Sequence, residues 1–392
     1  MRTRIALGIA CLLSIFCLLS AGGCGPETAV EPESPQPVAP PAEISADYPK
    51  IASWLVKKDE IIAAGKPYDL VMSGWFTPEE SSMIKSVNPD AVILAGLSVN
   101  WVWNNRDWMD FLLAVAGYGR ETPFVIDEAM YLHRPDGHRC TFGWASEEWG
   151  HEEIYAMDPR NTGWAELITA FYRNVLEQPQ HDGIIIDMVL EKSWCPDAIS
   201  DDGWVEATRA IMAGIAELNT ADKMVILNAG RDITDIDAYG DFMNGYLMEN
   251  FMGEQMRSTF DEGLEAADSG YIVIYAVDTD DTGEKDPDRM RLGLTLSLLN
   301  DNTCFTYDFG PRDHGQSWWF AEYDIDLGMP LGAYFEEGNS YRRRFENGTV
   351  VCAPYDDVQV SFDGMHTDAT TGQESEEFTV AGGDGRIFLR RP

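Results

Sequence analysis

Short apolar runs alternate with amphipathic segments between residues 68 and 308, and this alternation most constrains what the chain can fold into. The run 184–186 is three consecutive isoleucines, which is too short for a helix and suits a strand buried on both faces. Strands that alternate with helices predict a parallel sheet covered by helices. The segment 163–176 has the spacing of such a helix, with one apolar face formed by Trp164, Leu167, Phe171 and Val175.

The alternation predicts about eight strands. A helix follows the first of them, because Thr77 and Glu80 have the spacing of a capping box and Pro78 suits a first turn. Eight strand–helix units favour an α/β fold, a (β/α)8 TIM barrel, over the alternative of a doubly wound open sheet. The predicted strands are 68–76, 91–95, 184–187, 224–228, 245–250, 271–277 and 304–308, with 124–126 and 130–132 as competing candidates for the third.

The pattern changes at about residue 339, where strand-like segments follow one another without helices. Segments 341–346 and 349–352 flank Asn347-Gly348, which predicts a hairpin with a type I′ turn. Further strand-like segments lie at 358–362, 378–380 and 386–389. We therefore predict a barrel domain over 46–335 and a small C-terminal antiparallel β domain over 336–392, which stabilises the barrel more than it catalyses.

The first 45 residues carry export signals rather than a folding pattern. Arg2 and Arg4 precede an apolar run over 5–19, and small residues then lead to Cys24. This order is typical of a lipoprotein signal peptide over 1–23 with Cys24 lipidated; an uncleaved signal anchor is the alternative. Prolines spaced through 24–45 predict an extended tether. The expected location is the bacterial cell envelope, at the outer membrane or cell surface, through an N-terminal lipid anchor.

The chain is strongly acidic, with a formal net charge of −38 over 392 residues. Such a surface repels nucleic-acid phosphates and anionic polymers, so we expect no nucleic-acid partner and a neutral or cationic substrate. The alternative is that the acidity reflects only export or a salty habitat. No obligate protein partner is predicted.

Four cysteines follow Cys24, and none of them has metal-ligand spacing. Cys140 and Cys195 fall in predicted loops and could form a disulfide outside the cytoplasm. Cys304 and Cys352 lie in apolar strand patterns and are predicted to be buried thiols. Because the sequence contains no CxxC or Cys/His pattern, Walker loop or GxGxxG, we predict neither a metal nor another cofactor.

Polar residues end several predicted strands, and in a TIM barrel the carboxyl ends of the strands form the active-site face. Asp187 and Glu249 each end a buried strand directly. Two carboxyls that flank a glycosidic bond are the minimum for its hydrolysis, so these two are the predicted catalytic pair. The longer side chain favours Glu249 as the acid/base, although the roles could be exchanged, and a solvated barrel rim is the alternative. The predicted polar substrate-binding residues are Asn228, Tyr275, Asp278 and Asp308.

Tryptophans near the predicted strand ends are a second carbohydrate signature, since indole faces stack on the apolar faces of pyranose rings. Trp75 ends the first predicted strand, Trp103 follows the second, and Trp194 follows Asp187. We predict that these three tryptophans bind substrate. Ordinary packing is the alternative, because Trp is usually mostly buried.

Short motifs occur in a fixed order along the chain. They are NPDAVIL at 88–94, DG at 136–137, DGIIID at 182–187, LNAG at 227–230, MENF at 248–251, DLGMPLG at 326–332 and YRRRFENG at 341–348. No single motif is specific, but their order over about residues 68–352 resembles the hypothetical glycoside hydrolase-like family 15, a group of bacterial TIM-barrel proteins. The resemblance implies a barrel related to polysaccharide hydrolases, with Asp187 and Glu249 at catalytic-type positions, and a class of function rather than a substrate.

Two functions from different classes follow. The first is a membrane-tethered glycoside hydrolase that cleaves an extracellular or envelope polysaccharide or oligosaccharide with the carboxylate pair. The second is a non-catalytic carbohydrate-binding surface lipoprotein on a TIM-barrel scaffold, because a fold alone does not decide function. The separation of the carboxyls helps to discriminate: about 5–5.5 Å implies retention, about 6.5–9.5 Å implies inversion, and much more argues against paired catalysis.

Overall fold

The structure of the protein is a computed structural model. It describes residues 44–391 with gaps at 46, 73, 122, 142–153, 220–222, 231–235, 250–255, 281 and 311–313. The predicted signal peptide, the lipidation site Cys24 and nearly all of the predicted tether lie outside these residues. Within them, none of the helices is both long and apolar enough to cross a membrane.

A closed parallel sheet organises residues 51–308. The strands up to this point are β1 (Ala52–Trp54), β2 (Leu70–Met72), β3 (Val92–Ala95), β4 (Trp101–Trp103), β5 (Ile154–Ala156), β6 (Gly183–Ile186), β7 (Met224–Gly230), β8 (Gly245–Glu249), β9 (Ile272–Asp278) and β10 (Thr303–Asp308). Eight of them pair in the order β1-β2-β3-β6-β7-β8-β9-β10. Parallel pairing of Ile51 with Phe305 joins the last strand to the first. The predicted (β/α)8 TIM barrel is confirmed.

Helices follow most of these strands, as the alternation predicts. Thr77 begins the second helix: its hydroxyl accepts a hydrogen bond from the Glu80 amide, and the Glu80 carboxylate accepts one from the Thr77 amide, which confirms the capping box. The described α-helices are α1 (Lys58–Ala64), α2 (Pro78–Val87), α3 (Arg106–Val115), α4 (Thr162–Glu177), α5 (Asp201–Leu218), α6 (Ile236–Tyr239), α7 (Met256–Asp268) and α8 (Pro287–Ser297).

The barrel strands bury both faces, which explains their continuous apolar runs. In β6, Ile185 packs inside the barrel, whereas Ile184 and Ile186 pack against the surrounding helices. Side chains alternate with a period of two along a strand. The residue two positions after an interior one therefore also faces the interior, and at the end of a strand it faces the mouth of the barrel.

Two strand predictions are wrong. The segment 68–76 contains the second barrel strand, because the three-residue β1 precedes it and was too short to be recognised. Neither 124–126 nor 130–132 is the third barrel strand, since β6 pairs directly with β3. The Leu132 amide instead donates to the Ala156 carbonyl, which places this segment beside the two-stranded antiparallel sheet of β4 and β5.

Six antiparallel strands follow the barrel: β11 (Phe335–Glu337), β12 (Ser340–Arg344), β13 (Gly348–Ala353), β14 (Val358–Asp368), β15 (Glu374–Val380) and β16 (Asp384–Arg390). They form one sheet in the order β11-β12-β13-β16-β14-β15, which confirms the antiparallel unit. Gly385 lies so close to α8 that a Cβ there would be 1.9 Å from the Thr295 hydroxyl oxygen. The sheet therefore rests directly on a barrel helix, while the division into two domains at residue 336 stays a prediction.

The hairpin between β12 and β13 exists, but its turn differs from the predicted one. The Phe345 amide donates to the Gly348 carbonyl, so Glu346 and Asn347 are the central residues. A type I′ turn needs a positive φ at both central residues, and neither Glu346 nor Asn347 has one. Gly348 serves another purpose, because a Cβ at this position would lie 2.5 Å from the Phe388 carbonyl oxygen on the neighbouring strand.

Cys140 and Cys195 form a disulfide, as predicted, with their Cα atoms 6.1 Å apart. Cys304 and Cys352 are buried thiols, which is also as predicted. The disulfide joins the segment beside β4 and β5 to the loop after β6, at the carboxyl side of the barrel. It belongs to an apolar cluster that includes Trp101 and Trp204.

Reduction of this disulfide is expected to lower the free energy of unfolding by about 3 kcal/mol, because the bond restricts the unfolded chain. Urea unfolding with and without a reductant measures the difference. The double variant Cys140→Ala/Cys195→Ala is the control, and its free energy of unfolding should be the same with and without the reductant. An equal stability of the reduced and oxidised protein would contradict the expectation.

Candidate active site

Three neighbouring barrel strands bring Asp187, Asn228 and Glu249 together at the mouth of the barrel. Asp187 directly follows β6, Asn228 lies near the end of β7, and Glu249 ends β8. Each is two positions after a residue of the barrel interior, so the alternation of the strands aims all three inward. A register irregularity between Asn228 and Gly230 breaks the pairing of β7 there, and such bulges often redirect a side chain at a functional site.

The Asn228 amide bridges the two carboxyls. Its Nδ2 donates to Asp187 Oδ1 at 2.7 Å and to Glu249 Oε2 at 3.0 Å. Its Oδ1 accepts from the Gly230 amide at 2.9 Å, which fixes the orientation of the amide group. Because Asp187 Oδ1 and Glu249 Oε2 accept hydrogen bonds from the same nitrogen, they are no further apart than the sum of the two distances, 5.7 Å.

The second oxygen of Glu249 has two donors. Trp54 Nε1 donates to Glu249 Oε1 at 3.0 Å, and His314 Nε2 lies 2.9 Å from the same oxygen. The other ring nitrogen of His314 lies 2.8 Å from Asp308 Oδ2. Because Trp54 ends β1 and Asp308 ends β10, one hydrogen-bonded network joins the ends of five barrel strands. The Glu249 side chain remains 19% exposed, so an edge of the network is open to a ligand.

The two carboxyls have opposite pKa shifts. Burial raises the pKa of Asp187 to about 7, and the negative charge of Glu249 adds to the effect. Burial also acts to raise the pKa of Glu249, but the hydrogen bond and charge of His314, together with the hydrogen bonds from Asn228 and Trp54, outweigh it and lower that pKa to about 2. Between these values Glu249 is ionised and Asp187 carries a proton.

The backbone turns sharply after Asp187. Met188 has a φ of 54°, in the left-handed region that residues other than glycine rarely adopt. It packs against the apolar cluster of the Cys140–Cys195 disulfide. Local strain of this kind persists only where the surrounding packing enforces it, and it concentrates at functional sites.

The family model described as hypothetical glycosyl hydrolase family 15 matches residues 86–349. The chain belongs to this family. The matched region includes Asp187, Asn228, Glu249 and His314, while Trp54 precedes it. A comparison with curated proteins gives no match.

The family 15 chain is similar to solved TIM-barrel glycosidases. A GH36 α-galactosidase AgaA variant from Geobacillus stearothermophilus, in complex with raffinose, is 9% identical with a TM-score of 0.50, covering 88% of this chain and 56% of that chain. An α-amylase from Geobacillus thermoleovorans, complexed with acarbose, is 10% identical with a TM-score of 0.46, covering 85% and 91%. The glycoside hydrolase domain of a PelA variant from Pseudomonas aeruginosa is 11% identical with a TM-score of 0.46, covering 69% and 97%. At 9% identity the likeness to the α-galactosidase, whose TM-score is 0.50, shows the fold alone.

Three of the four predicted polar substrate-binding residues lie at the ends of barrel strands, and each has a different relation to the predicted catalytic pair. Asn228 contacts both carboxyls. Asp308 reaches Glu249 through His314. Asp278 lies beside Asp308 in register, and its Oδ1 is 3.4 Å from the Arg289 side chain of α8 and accepts from the Asp280 amide.

The structure places two predicted substrate-binding residues away from the carboxyl network. Tyr275 is fully buried and faces α7, where its hydroxyl lies against Gly263, because its strand position has the opposite parity to Asp278. Trp75 packs against Phe111 of α3 and against His181, in the layer between barrel and helices. Neither side chain reaches the network around Glu249.

The remaining two tryptophans lie closer to Asp187. Trp103 and Trp194 are partly buried and pack against the same apolar cluster as Met188, the residue after Asp187. The cluster lies at the carboxyl side of the barrel, the side on which Asp187 also lies. Their contact with substrate stays a prediction.

Sequence analysis missed Trp54 and His314. Trp54 ends a strand of only three residues, so its one signal is the apolar run 51–56. His314 is one of six histidines and lies in a polar loop six residues after Asp308, with no strand or motif to single it out. Among the residues that the structure describes, no group of three or more His, Cys, Asp or Glu is arranged to hold a metal ion.

Proposed function

We propose that the protein is a retaining glycoside hydrolase. The observation that carries this proposal is the pair of carboxyls that accept hydrogen bonds from one Asn228 amide nitrogen. The opposite pKa shifts of the two carboxyls support it. The two oxygens that share this nitrogen are at most 5.7 Å apart. This upper limit supports the closer spacing of about 5–5.5 Å that is typical of retaining enzymes over the spacing of about 6.5–9.5 Å that leaves room for a water in inverting ones.

The protonation states assign the roles. Glu249, ionised and held by donors on both oxygens, is the nucleophile that attacks the anomeric carbon. Asp187 is the acid that gives its proton to the glycosidic oxygen as the carbon–oxygen bond breaks. In the second step the Asp187 carboxylate takes a proton from water, the water oxygen attacks the anomeric carbon, and Glu249 leaves. This exchanges the roles that side-chain length favoured.

The proposed substrate is a neutral or cationic polysaccharide or oligosaccharide outside the cytoplasm. The net charge of −38 supports this choice, because a polyanion would be repelled. Trp103 and Trp194 are the proposed stacking residues. The lipoprotein pattern of residues 1–24 supports a lipid anchor in the cell envelope, so an envelope or extracellular glycan is within reach of the proposed enzyme.

The test is release of reducing sugar by the purified protein from a panel of neutral and amino-sugar polysaccharides. We expect hydrolysis in which the first product detected by proton NMR keeps the anomeric configuration of the substrate. Because Asp187 must be protonated, kcat/KM should fall as the pH rises through about 7; because Glu249 ionises near pH 2, kcat/KM should stay level down to the lowest pH at which the protein is folded.

Two outcomes would contradict the proposal. A first product with inverted configuration would exclude the nucleophilic role of Glu249. Saturable polysaccharide binding without any hydrolysis would favour the carbohydrate-binding protein on a TIM-barrel scaffold. The same panel measured with the double variant Asp187→Asn/Glu249→Gln is the control for contaminating activity.

A further inference from the structure

His314 is held between two carboxylates from different strands. Its Nε2 lies 2.9 Å from Glu249 Oε1 and its Nδ1 lies 2.8 Å from Asp308 Oδ2. The His314 side chain is 10% exposed and that of Asp308 is 5% exposed. Burial raises the pKa of Asp308, and the hydrogen bond and charge of His314 act in the opposite direction. When both carboxyls are ionised they only accept hydrogen bonds, so the ring between them must donate from both nitrogens. An imidazole that donates from both nitrogens is an imidazolium cation.

We propose that Asp308 and His314 form a charge-setting pair that keeps Glu249 ionised and thereby leaves the single proton of the site on Asp187. This inference rests on the proposed function, in which the two carboxyls have different roles. His314 and Asp308 are positioning residues, because they act on the reaction through Glu249.

A comparison within the chain supports the cationic state of His314. His181 is also buried, but its Nε2 lies against the backbone of Phe76, and burial lowers the pKa of its imidazole to about 4. Burial acts on His314 in the same direction, yet Asp308 and Glu249 outweigh it and raise the pKa of His314 well above the ordinary value. The two buried histidines differ in their partners, and only His314 faces carboxylates on both sides.

The other contacts of Glu249 cannot replace this cation. Asn228 and Trp54 donate neutral hydrogen bonds, and Asn228 donates to both carboxyls through the same nitrogen. Without a positive charge, two buried carboxyls at this separation share one proton, and neither has a fixed role. His314 distinguishes them, because it contacts Glu249 directly and acts on Asp187 only through its charge.

The charged groups around His314 are few in the part of the chain that the structure describes. Glu249 faces it from β8, Asp308 from β10, and the charge of Asp187 reaches it from β6. From β1 it meets the ring of Trp54, at 6.1 Å between centroids. The next carboxylate, Asp278, lies beside Asp308 in register.

The test compares the pH dependence of kcat/KM in wild type, His314→Gln and the matched variant His181→Gln. Loss of the His314 cation removes what lowers the pKa of Glu249 and part of what lowers the pKa of Asp187. In His314→Gln the alkaline limb should therefore move to higher pH, and an acid limb, which wild type lacks above the unfolding pH, should appear about 1–3 pH units above the pKa of about 2 of Glu249. His181→Gln should keep the wild-type profile. A His314→Gln profile with the wild-type alkaline limb and no acid limb, whatever the loss of rate, would overturn the proposal.

A second measurement needs no substrate. In the ¹⁵N NMR spectrum of the full chain labelled at histidine, both ring nitrogens of His314 should keep the shifts of protonated nitrogens well above pH 6.5. In Asp308→Asn the titration of His314 should move to lower pH, while His181 stays neutral near pH 7. Titration of the wild-type His314 near pH 6.5 would overturn this inference and leave the hydrolase proposal standing. A cationic His314 in a protein that hydrolyses no glycan would support the pair and reject the hydrolase.

Discussion

Glu249→Gln and Asp187→Asn are each expected to lower kcat for a polysaccharide by about 10³-fold or more, because each variant removes a group that forms or breaks a bond in the reaction. The two variants should differ with a dinitrophenyl glycoside, whose leaving group needs no proton. Asp187→Asn should then retain its first step and accumulate the glycosyl-enzyme, whereas Glu249→Gln should fail at that step. Burst kinetics on this substrate measure the difference.

Azide identifies the roles independently. In Glu249→Ala, azide can occupy the place of the nucleophile and should give a glycosyl azide of inverted configuration. In Asp187→Ala, azide should intercept the glycosyl-enzyme on the second step and give a glycosyl azide of retained configuration. The opposite pattern would mean that Asp187 is the nucleophile, as side-chain length suggested. Asp278→Asn changes a strand-end carboxylate that pairs with Arg289 and lies outside the catalytic pair, so azide should not change the product that this variant forms, whatever its effect on substrate binding. Full activity in both catalytic variants would place the chemistry elsewhere.

Asp384→Ala is expected to lower the free energy of unfolding by about 3 kcal/mol, because it removes the buried partner of the Arg291 guanidinium and leaves it with the exposed carboxylate of Asp288. Asp384 accepts two hydrogen bonds from Arg291 of α8, at 2.9 and 3.1 Å, and both side chains are at most 6% exposed. Arg386 also contacts the same carboxylate at 2.7 Å. This cluster joins the antiparallel sheet to the barrel, so its loss should weaken the contact between them. Urea unfolding measures the change.

Two further variants distinguish the effect of an unpaired buried charge on stability from the effect of lost packing. Asp110→Ala removes the partner of Arg106 in an exposed pair on α3, and it should change stability by less than about 0.5 kcal/mol. Replacement of both members, Arg291→Met with Asp384→Leu, should recover much of the stability lost in Asp384→Ala. A double variant as unstable as Asp384→Ala would show that packing, rather than the unpaired charge, causes the loss.

Several parts of the candidate site follow from strand periodicity alone. The interior residue Ile185 is followed two positions later by Asp187, Leu247 by Glu249, and Ile226 by Asn228. When a strand is apolar on both faces and ends in a polar residue two positions after an interior one, that polar residue is therefore expected to face the mouth of the barrel. The same rule places Tyr275 on the helix side of β9, because it alternates with the interior residues of that strand.

Other parts depend on contacts that no local pattern encodes. Trp54 and Glu249 are 195 residues apart and meet only because the barrel closes. His314 lies in a loop, where neither periodicity nor a motif marks the residue. Trp75 was misplaced for a related reason: the sequence fixes its position after β2, but packing against Phe111 and His181 turns it away from the mouth.

Local periodicity and short-range turn and cap chemistry suffice to predict the barrel, the antiparallel unit and the strand ends that supply the carboxyls. The difference in pKa between the two carboxyls has no local signal and arises from the folded barrel. His314, Trp54 and Asn228 stabilise the Glu249 carboxylate and lower its pKa. Burial and the negative charge of Glu249 destabilise the Asp187 carboxylate and raise its pKa. Those partners come from separate strands and a loop, so their charges and donors act together only once the barrel has closed.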